Sequence, residues 1–196
     1  MRPVKAPPPG EVRIIGGQWK RSKLAVARQD GLRPTPDRVR ETLFNWLGQD
    51  LGGLRCVDAF AGSGALGFEA ASRGAARVVL VEQAAPLVAT LRANATRLKA
   101  DNLEIVPGDA VAWLRQQAGA GWDVVFLDPP FGQTPLFEQA LAAARAALAP
   151  DGAIYLEAPR AWTADELAAQ GLSLHRQGRA GQVHFHLLHV VGTHGG

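Results

Sequence analysis

The chain contains a single cysteine, Cys56, in 196 residues. An intramolecular disulfide and a multi-cysteine zinc site are therefore excluded, and the composition suits a reducing compartment. Long hydrophobic runs are also missing. No stretch approaches the ~18 consecutive apolar residues of a membrane-spanning helix. The start, with Arg2, Lys5 and Pro7-Pro8-Pro9, has no apolar segment of the signal-peptide kind. A cytoplasmic location is the expectation. Positive charge is scarce outside the first quarter. Residues 1–50 hold ten Lys/Arg against five Asp/Glu, and residues 51–196 hold eleven against thirteen. Such asymmetry points either to an anionic partner met by the N-terminal region or to a solvated basic face. With 47% apolar and 20% charged residues, wholesale disorder, collagen and a coiled coil are excluded. The length suits one compact domain with a small appendage.

Segments 12–15 and 23–26 read as two short strands of a small basic hairpin around Gly16-Gly17, behind a disordered Pro-rich tail over residues 1–11. Thr35-Pro36-Asp37 reads as a helix start, with Thr as N-cap and Pro in the first turn. Val39, Leu43, Trp46 and Leu47 then form one apolar stripe, with Arg38 and Arg40 off it and facing outward. From residue 54 short apolar runs alternate with helical segments. Strands are expected at 54–58, 77–81, 103–106, 122–127 and 152–157, and helices at 65–73, 84–98, 109–118 and 135–148. Two more strands, about 171–177 and 182–190, are joined across Gly178-Arg179-Ala180-Gly181 as an antiparallel hairpin. The expected fold is α/β: a Rossmann-like, seven-stranded, mostly parallel sheet with an antiparallel last strand, helices on both faces, and a basic N-terminal hairpin and helix. The expected divisions are 12–50 for that basic extension, 51–191 for the ligand-binding domain and 192–196 for a flexible tail.

Gly62, Gly64 and Gly67 satisfy G-x-G-x-x-G between the first of these strands and its helix. Glu82 ends the next strand twenty residues after Gly62, where a carboxylate would hold ribose hydroxyls. Asp58 stands at the mouth of the loop. A carboxylate there repels a pyrophosphate but suits the cationic S-adenosylmethionine, unless it only caps local amides. Asp109 ends the following strand. It either accepts from an adenine amino group or caps the helix after it, and the two roles are compatible.

The buried strand 122–127 ends in Asp128-Pro129-Pro130-Phe131. Two prolines donate no hydrogen bonds and stiffen the loop. A carboxylate, a rigid carbonyl and an aromatic ring are what methyl transfer to an exocyclic amino group requires. Asp128 and the Pro129 carbonyl would orient the nitrogen lone pair, and Phe131 would stack on the base. A duplex hides that base, so the acceptor lies in a loop or flips out.

Asp58-Ala59-Phe60-Ala61-Gly62-Ser63-Gly64 together with Asp128-Pro129-Pro130-Phe131 resembles the class I S-adenosylmethionine-dependent methyltransferases that modify amino groups. The runs Arg13–Lys20, Leu32–Leu47 and Arg176–Val183 narrow the resemblance to the bacterial 16S rRNA (guanine(966)-N2)-methyltransferase family, across about residues 12–190. The resemblance implies cofactor contacts from Asp58, Phe60, Ala61, Gly62, Gly64, Glu82 and Asp109, with S-adenosylhomocysteine as product. It implies a catalytic loop of Asp128, Pro129, Pro130 and Phe131. It also implies an rRNA grip by Arg13, Lys20, Arg21, Lys23, Arg33 and Arg38, on the 30S subunit with neighbouring ribosomal proteins. No metal and no membrane are implied. A monomer is expected, because no apolar surface stripe stands out.

Other readings stay open on the residues alone. An adenine-N6 methyltransferase uses a similar acceptor loop. An NAD-dependent oxidoreductase shares the glycines, though Asp58 and Asp128-Pro129-Pro130-Phe131 argue against it. A non-catalytic RNA-binding assembly factor would keep the scaffold. His184, His186 and His189 lack acidic or cysteine partners for a metal. Cys56 reads as a core residue rather than a nucleophile. Trp19, among Lys20, Arg21 and Lys23, is either an RNA contact or a hairpin anchor.

Overall fold

The computed structural model describes residues 10–192. The Pro-rich start up to Pro9 and residues 193–196 lie outside the described residues, so the expected tails fall there apart from Gly10, Glu11 and Gly192. Strands β1 (Glu11–Arg13) and β2 (Lys23–Ala25) pair antiparallel. The expected tail over 1–11 thus ends too late: Glu11 is already in β1, opposite Ala25 and ion-paired to Lys23. Helix α1 (Asp37–Trp46) follows.

Alternating elements come next: β3 (Arg55–Asp58), α2 (Ala65–Ser72), β4 (Arg77–Glu82), α3 (Ala85–Leu98), β5 (Leu103–Pro107), α4 (Ala110–Gln116), β6 (Trp122–Leu127), α5 (Thr134–Ala147), β7 (Leu148–Ala158), α6 (Ala164–Ala169), β8 (Leu172–Ala180) and β9 (Val183–Val190). The seven strands from β3 onward form one sheet in the order β5-β4-β3-β6-β7-β9-β8. Pairings among β3 to β7 are parallel, and β9 runs antiparallel to both β7 and β8. This is the mostly parallel sheet with a reversed last strand. Val78, Val79, Leu80 and Val81 are all buried, as a strand covered on both faces requires. The hairpin, α1, α2 and α3 cover one face, and α4, α5 and α6 the other.

Three local expectations are corrected by tertiary contacts. Thr35 does not cap α1. Pro36 holds the cap position, and the Thr35 hydroxyl donates to Glu157 Oε1 at 2.7 Å. Arg40 does not face outward. It is 1% exposed and bonds Glu69 Oε2 at 3.2 Å, the Arg13 carbonyl at 3.0 Å and the Thr35 carbonyl at 3.1 Å. Third, the β8–β9 turn is only Gly181-Gln182, because Ala180 already pairs with Val183. Gly178 lies inside β8, opposite Phe185, where a Cβ would come within 2.4 Å of the Phe185 ring. That ring stacks on Trp46 of α1 with centroids 5.4 Å apart. The short helix α6 has no counterpart in the expectations. Its signal is the capping box of Thr163 and Glu166.

Glu69 of α2 docks the N-terminal region. Besides Arg40, its carboxylate accepts from the Ile15 and Gly16 amides at 3.0 and 2.9 Å and from Arg73 Nε at 3.0 Å. Asn94 of α3 clasps Ala25 through both its amide donor and its amide acceptor. Removing one partner of a buried pair leaves the other charge uncompensated, at about 3–5 kcal/mol. Glu69→Ala is therefore expected to lower unfolding stability by about that amount, measured by urea denaturation. Glu104→Ala, which breaks an exposed pair with Arg77, should cost under about 1 kcal/mol.

Candidate active site

Three neighbouring strands deliver carboxyls to one place. Asp58 ends β3, Asp128 follows β6 directly, and Glu157 is the penultimate residue of β7. In register, Asp58 is beside Phe126, Phe126 beside Tyr155 and Leu127 beside Leu156. Side chains alternate along a strand, so all three carboxyls share the sheet face of Phe126 and Tyr155. Asp58 is 2% and Glu157 5% exposed. Sequence reasoning does not single out Glu157. Its signal is a charge directly after the apolar run Ala153–Leu156, one residue beyond Leu156, which pairs with Leu127.

Among the described residues no salt bridge pairs any of the three. Burial pushes the Asp58 carboxyl up to about 8 against the Gly67 amide bond that pulls it down, with Glu82 and Glu157 adding to the rise. Asp128 is held well above the usual carboxyl range by burial, then by the charge and hydrogen bond of Glu157, then by Asp58. Such a cluster is short of positive charge.

The glycine loop is shaped by the same acids. Asp58 Oδ2 accepts from the Gly67 amide at 3.0 Å, and Glu82 accepts from the Gly62 and Ala84 amides at 2.8 and 3.1 Å. Gly64 caps α2 at φ +78°, a left-handed conformation that favours glycine. A Cβ at Gly67 would lie 2.7 Å from Leu80, so this glycine sets α2 against β4. Leu32, from the segment ahead of α1, lies over Gly62, 2.9 Å from where a Cβ would sit. Ala61 is buried and Phe60 half-buried beside them. Asp109 caps α4 by accepting from the Ala112 amide at 2.8 Å, and its exposure keeps its second oxygen open to another donor.

In the loop after β6 Asp128 is half-buried, Pro129 buried and Pro130 exposed, and Phe131 is 46% exposed. Arg13, Lys20, Arg21, Lys23, Arg33 and Arg38 are all exposed, with Lys23 held by Glu11. Trp19 is the hairpin anchor: it packs on the core, and its amide donates to Ser72 Oγ at 3.0 Å. Cys56 is fully buried and its thiol is pushed up to about 12, mainly by burial, so it forms no thiolate. His186 accepts from the Trp162 amide and faces the Leu156 carbonyl. Among the described residues, no three His, Cys, Asp or Glu side chains cluster to hold a metal.

The family model described as Conserved hypothetical protein 95 matches residues 12–189. The chain belongs to that family. It is 45% identical over 179 residues to the ribosomal RNA small subunit methyltransferase D of Escherichia coli strain K12, covering 91% of this chain and 89% of that protein. The Haemophilus influenzae protein of the same name is 45% identical over 153 residues, covering 76% and 79%. The solved structure of yhhF from Escherichia coli superposes with a TM-score of 0.79 at 39% identity, over 92% of this chain and 98% of that one.

The residues present fit S-adenosylmethionine. Buried carboxyls without cationic partners suit its ammonium and sulfonium, and it brings no phosphate to oppose them. Asp58, protonated below about pH 8, must ionise to meet a cation. Cofactor binding at pH 7 is expected to release protons, read by calorimetry in two buffers of different ionisation enthalpy. Asp58→Asn should abolish that release and weaken binding. The sign for folding is opposite to the usual acid. Because Asp58 rises from 3.8 to about 8, the cofactor-free protein should lose stability progressively between those pH values, and Asp58→Asn should flatten the loss.

Proposed function

We propose that this protein transfers a methyl group from S-adenosylmethionine to the exocyclic N2 of a guanine in 16S ribosomal RNA, on the assembled small subunit. Family membership makes it an S-adenosylmethionine-dependent methyltransferase of small-subunit rRNA. The guanine, its N2 and the assembled particle are the finer part of the reading. One observation supports it most: a carboxyl, two prolines and an exposed aromatic ring leave β6 directly beside the acidic cleft.

When bound, the cofactor supplies an electrophilic methyl group. Asp58, Phe60, Ala61, Gly62, Gly64, Glu82 and Asp109 hold it and release S-adenosylhomocysteine. Asp128 and the Pro129 carbonyl accept the two N2 hydrogens and turn the lone pair out of the ring plane. Pro130 keeps the loop stiff. Phe131 stacks on the base, worth about 1–3 kcal/mol. Orientation of this kind can lower the barrier by up to about 7–11 kcal/mol. Residues 12–50 act as the RNA-gripping extension of the cofactor-binding domain 51–191. Arg13, Lys20, Arg21, Lys23, Arg33 and Arg38 meet phosphates, and ribosomal proteins complete the surface. The protein works as a monomer in the cytoplasm. No described helix is long and apolar enough to cross a membrane.

Methyl transfer from labelled cofactor to unmodified small subunits, to bare 16S rRNA and to DNA tests the assignment, with the product nucleoside read by mass spectrometry. N2-methylguanosine on subunits is expected, with Asp128→Ala lowering transfer by about 10²-fold or more. N6-methyladenosine would make the enzyme an adenine-N6 methyltransferase. Cofactor binding without any transfer would leave an RNA-binding assembly factor. Arg33→Ala and Arg38→Ala should each reduce the log–log salt slope of RNA binding by about 1. An unchanged slope and activity would remove that arginine from the grip.

A further inference from the structure

The last part of the chain carries a charge pattern of its own. After Glu166 the sequence has no Asp or Glu, yet it holds Arg176, Arg179 and all five histidines. Most of this stretch is the β8–β9 hairpin. Because β9 runs antiparallel to β7, its N-terminal end meets the C-terminal end of β7. Glu157 pairs with Phe185 and Ala158 with His184, and His184 pairs in turn with Arg179. The closed end of the hairpin, Arg179 to His184, therefore stands at the sheet edge where the parallel strands end and the acidic cleft lies. It lies on the β7 side of the Asp128–Phe131 loop, away from the glycine loop, as the strand order β3-β6-β7-β9-β8 requires.

Arg179 is exposed and held in place there. Its Nε donates to the Gly181 carbonyl at 2.9 Å, within a turn that Gly181 closes at φ +58°. Among the described residues no salt bridge takes up the charge of Arg179 or of Arg176. A guanidinium oriented through one nitrogen and uncompensated in charge suits a phosphate. Arg160, which follows β7, differs: Glu166 holds it at 2.8 and 2.9 Å, and it lies over the Trp162 ring. The hairpin is also tied to the N-terminal basic region. Phe185, seated against Gly178, stacks on Trp46 of α1, and its strand partner Glu157 accepts from the Thr35 hydroxyl. Arg33 and Arg38 bracket Thr35 in the chain. Both basic surfaces thus meet the same end of β7, and β8 lies only two strand spacings, roughly 10 Å, from it. An edge strand such as β8 also admits a second copy of the chain. Here a register shift between Leu174 and Arg176 bends that edge, and the arginines of two copies would repel. Both features oppose strand pairing and leave the edge suited to a polyanion.

We propose that the closed end of the β8–β9 hairpin is a second phosphate-binding surface for the rRNA, with Arg179 as its anchor. The inference rests on the reading that the chain grips rRNA through Arg33 and Arg38. Those two hold the RNA backbone ahead of and on α1, and Arg179 holds it beyond β7. His184, the half-buried cross-strand neighbour of Arg179, adds a donor on the same face. Phosphates fixed at two places on one packed unit set the direction in which the strand crosses the Asp128–Phe131 loop. The N-terminal region alone, holding the RNA at one side, leaves that direction open.

Binding of the full chain to unmodified small subunits, measured over a range of monovalent salt, tests this. Arg179→Ala should lower the log–log salt slope by about 0.7–1 and weaken binding about five- to tenfold at 0.1 M salt. Arg179→Lys should restore the slope but only part of the affinity, because the charge returns without the fork. Arg115→Ala, at the other end of α4 from the strand ends, should change neither. Cofactor affinity and the urea midpoint of Arg179→Ala should match the wild type, since the side chain is exposed. A benzophenone crosslinker in place of the exposed Gln182 should form an adduct with 16S rRNA on irradiation, and one in place of Arg115 should not. An unchanged slope in Arg179→Ala, or a Gln182 adduct with a second copy of the protein instead of RNA, overturns the proposal. If Arg33→Ala and Arg38→Ala lower the slope and Arg179→Ala does not, the N-terminal grip stands and the hairpin surface falls. If only Arg179→Ala lowers it, the hairpin surface stands and the N-terminal grip falls.

Discussion

The buried ion pair of Arg40 and Glu69 is the constraint on which the arrangement of the site depends. It joins α1 to α2, and its remaining donors and acceptors are used by the Arg13, Ile15, Gly16 and Thr35 backbone. Pairs of this kind are seldom net stabilisers relative to an apolar alternative, because both charges give up water. What this one does well is fix geometry. Glu69 Oε1 is held by Gly16 and Arg73, Oε2 by Ile15 and Arg40, and Arg40 also by the Arg13 and Thr35 carbonyls, so the segment between the hairpin and α1 is pinned over the strand ends. Leu32 then rests on the glycine loop and Thr35 reaches Glu157. The basic N-terminal region is therefore in direct contact with both the glycine loop and Glu157 at the end of β7.

The second organising feature is strand parity. Asp58, Asp128 and Glu157 fall on one face because each lies two residues beyond an aromatic or small core residue of that face: Cys56, Phe126 and Tyr155. A parallel sheet brings its C-terminal strand ends to one edge, and ligands bind there. Here the edge is an acidic, half-dehydrated cleft. Acids of like sign held apart from water raise one another, and the cluster is relieved when a cation enters.

Much of this was legible in the residues. The alternation of elements, the glycine loop and the Asp128–Phe131 loop all lie in local patterns, and apart from α6 the described strands and helices fall within a few residues of the expected limits. Arg40 was misplaced because helical periodicity assigns a charge off the apolar stripe to solvent, while Glu69 on another helix offers it a buried partner. Thr35 was misassigned as a cap because its hydroxyl has a better acceptor 122 residues away. Gly178 resembled a turn residue because glycine usually marks one, yet here it makes room for Phe185 against Trp46.

The sequence by itself determined the fold class, the family, the position of the basic region and the two loops that follow β3 and β6. These follow from period, composition and short motifs, all of which act over a few residues. Only the tertiary structure decided which acids share a cleft, which arginine is buried and what the Thr35 hydroxyl holds. Those outcomes depend on register between strands distant in the chain, and on the rule that a buried polar group takes whichever partner the packing brings within reach.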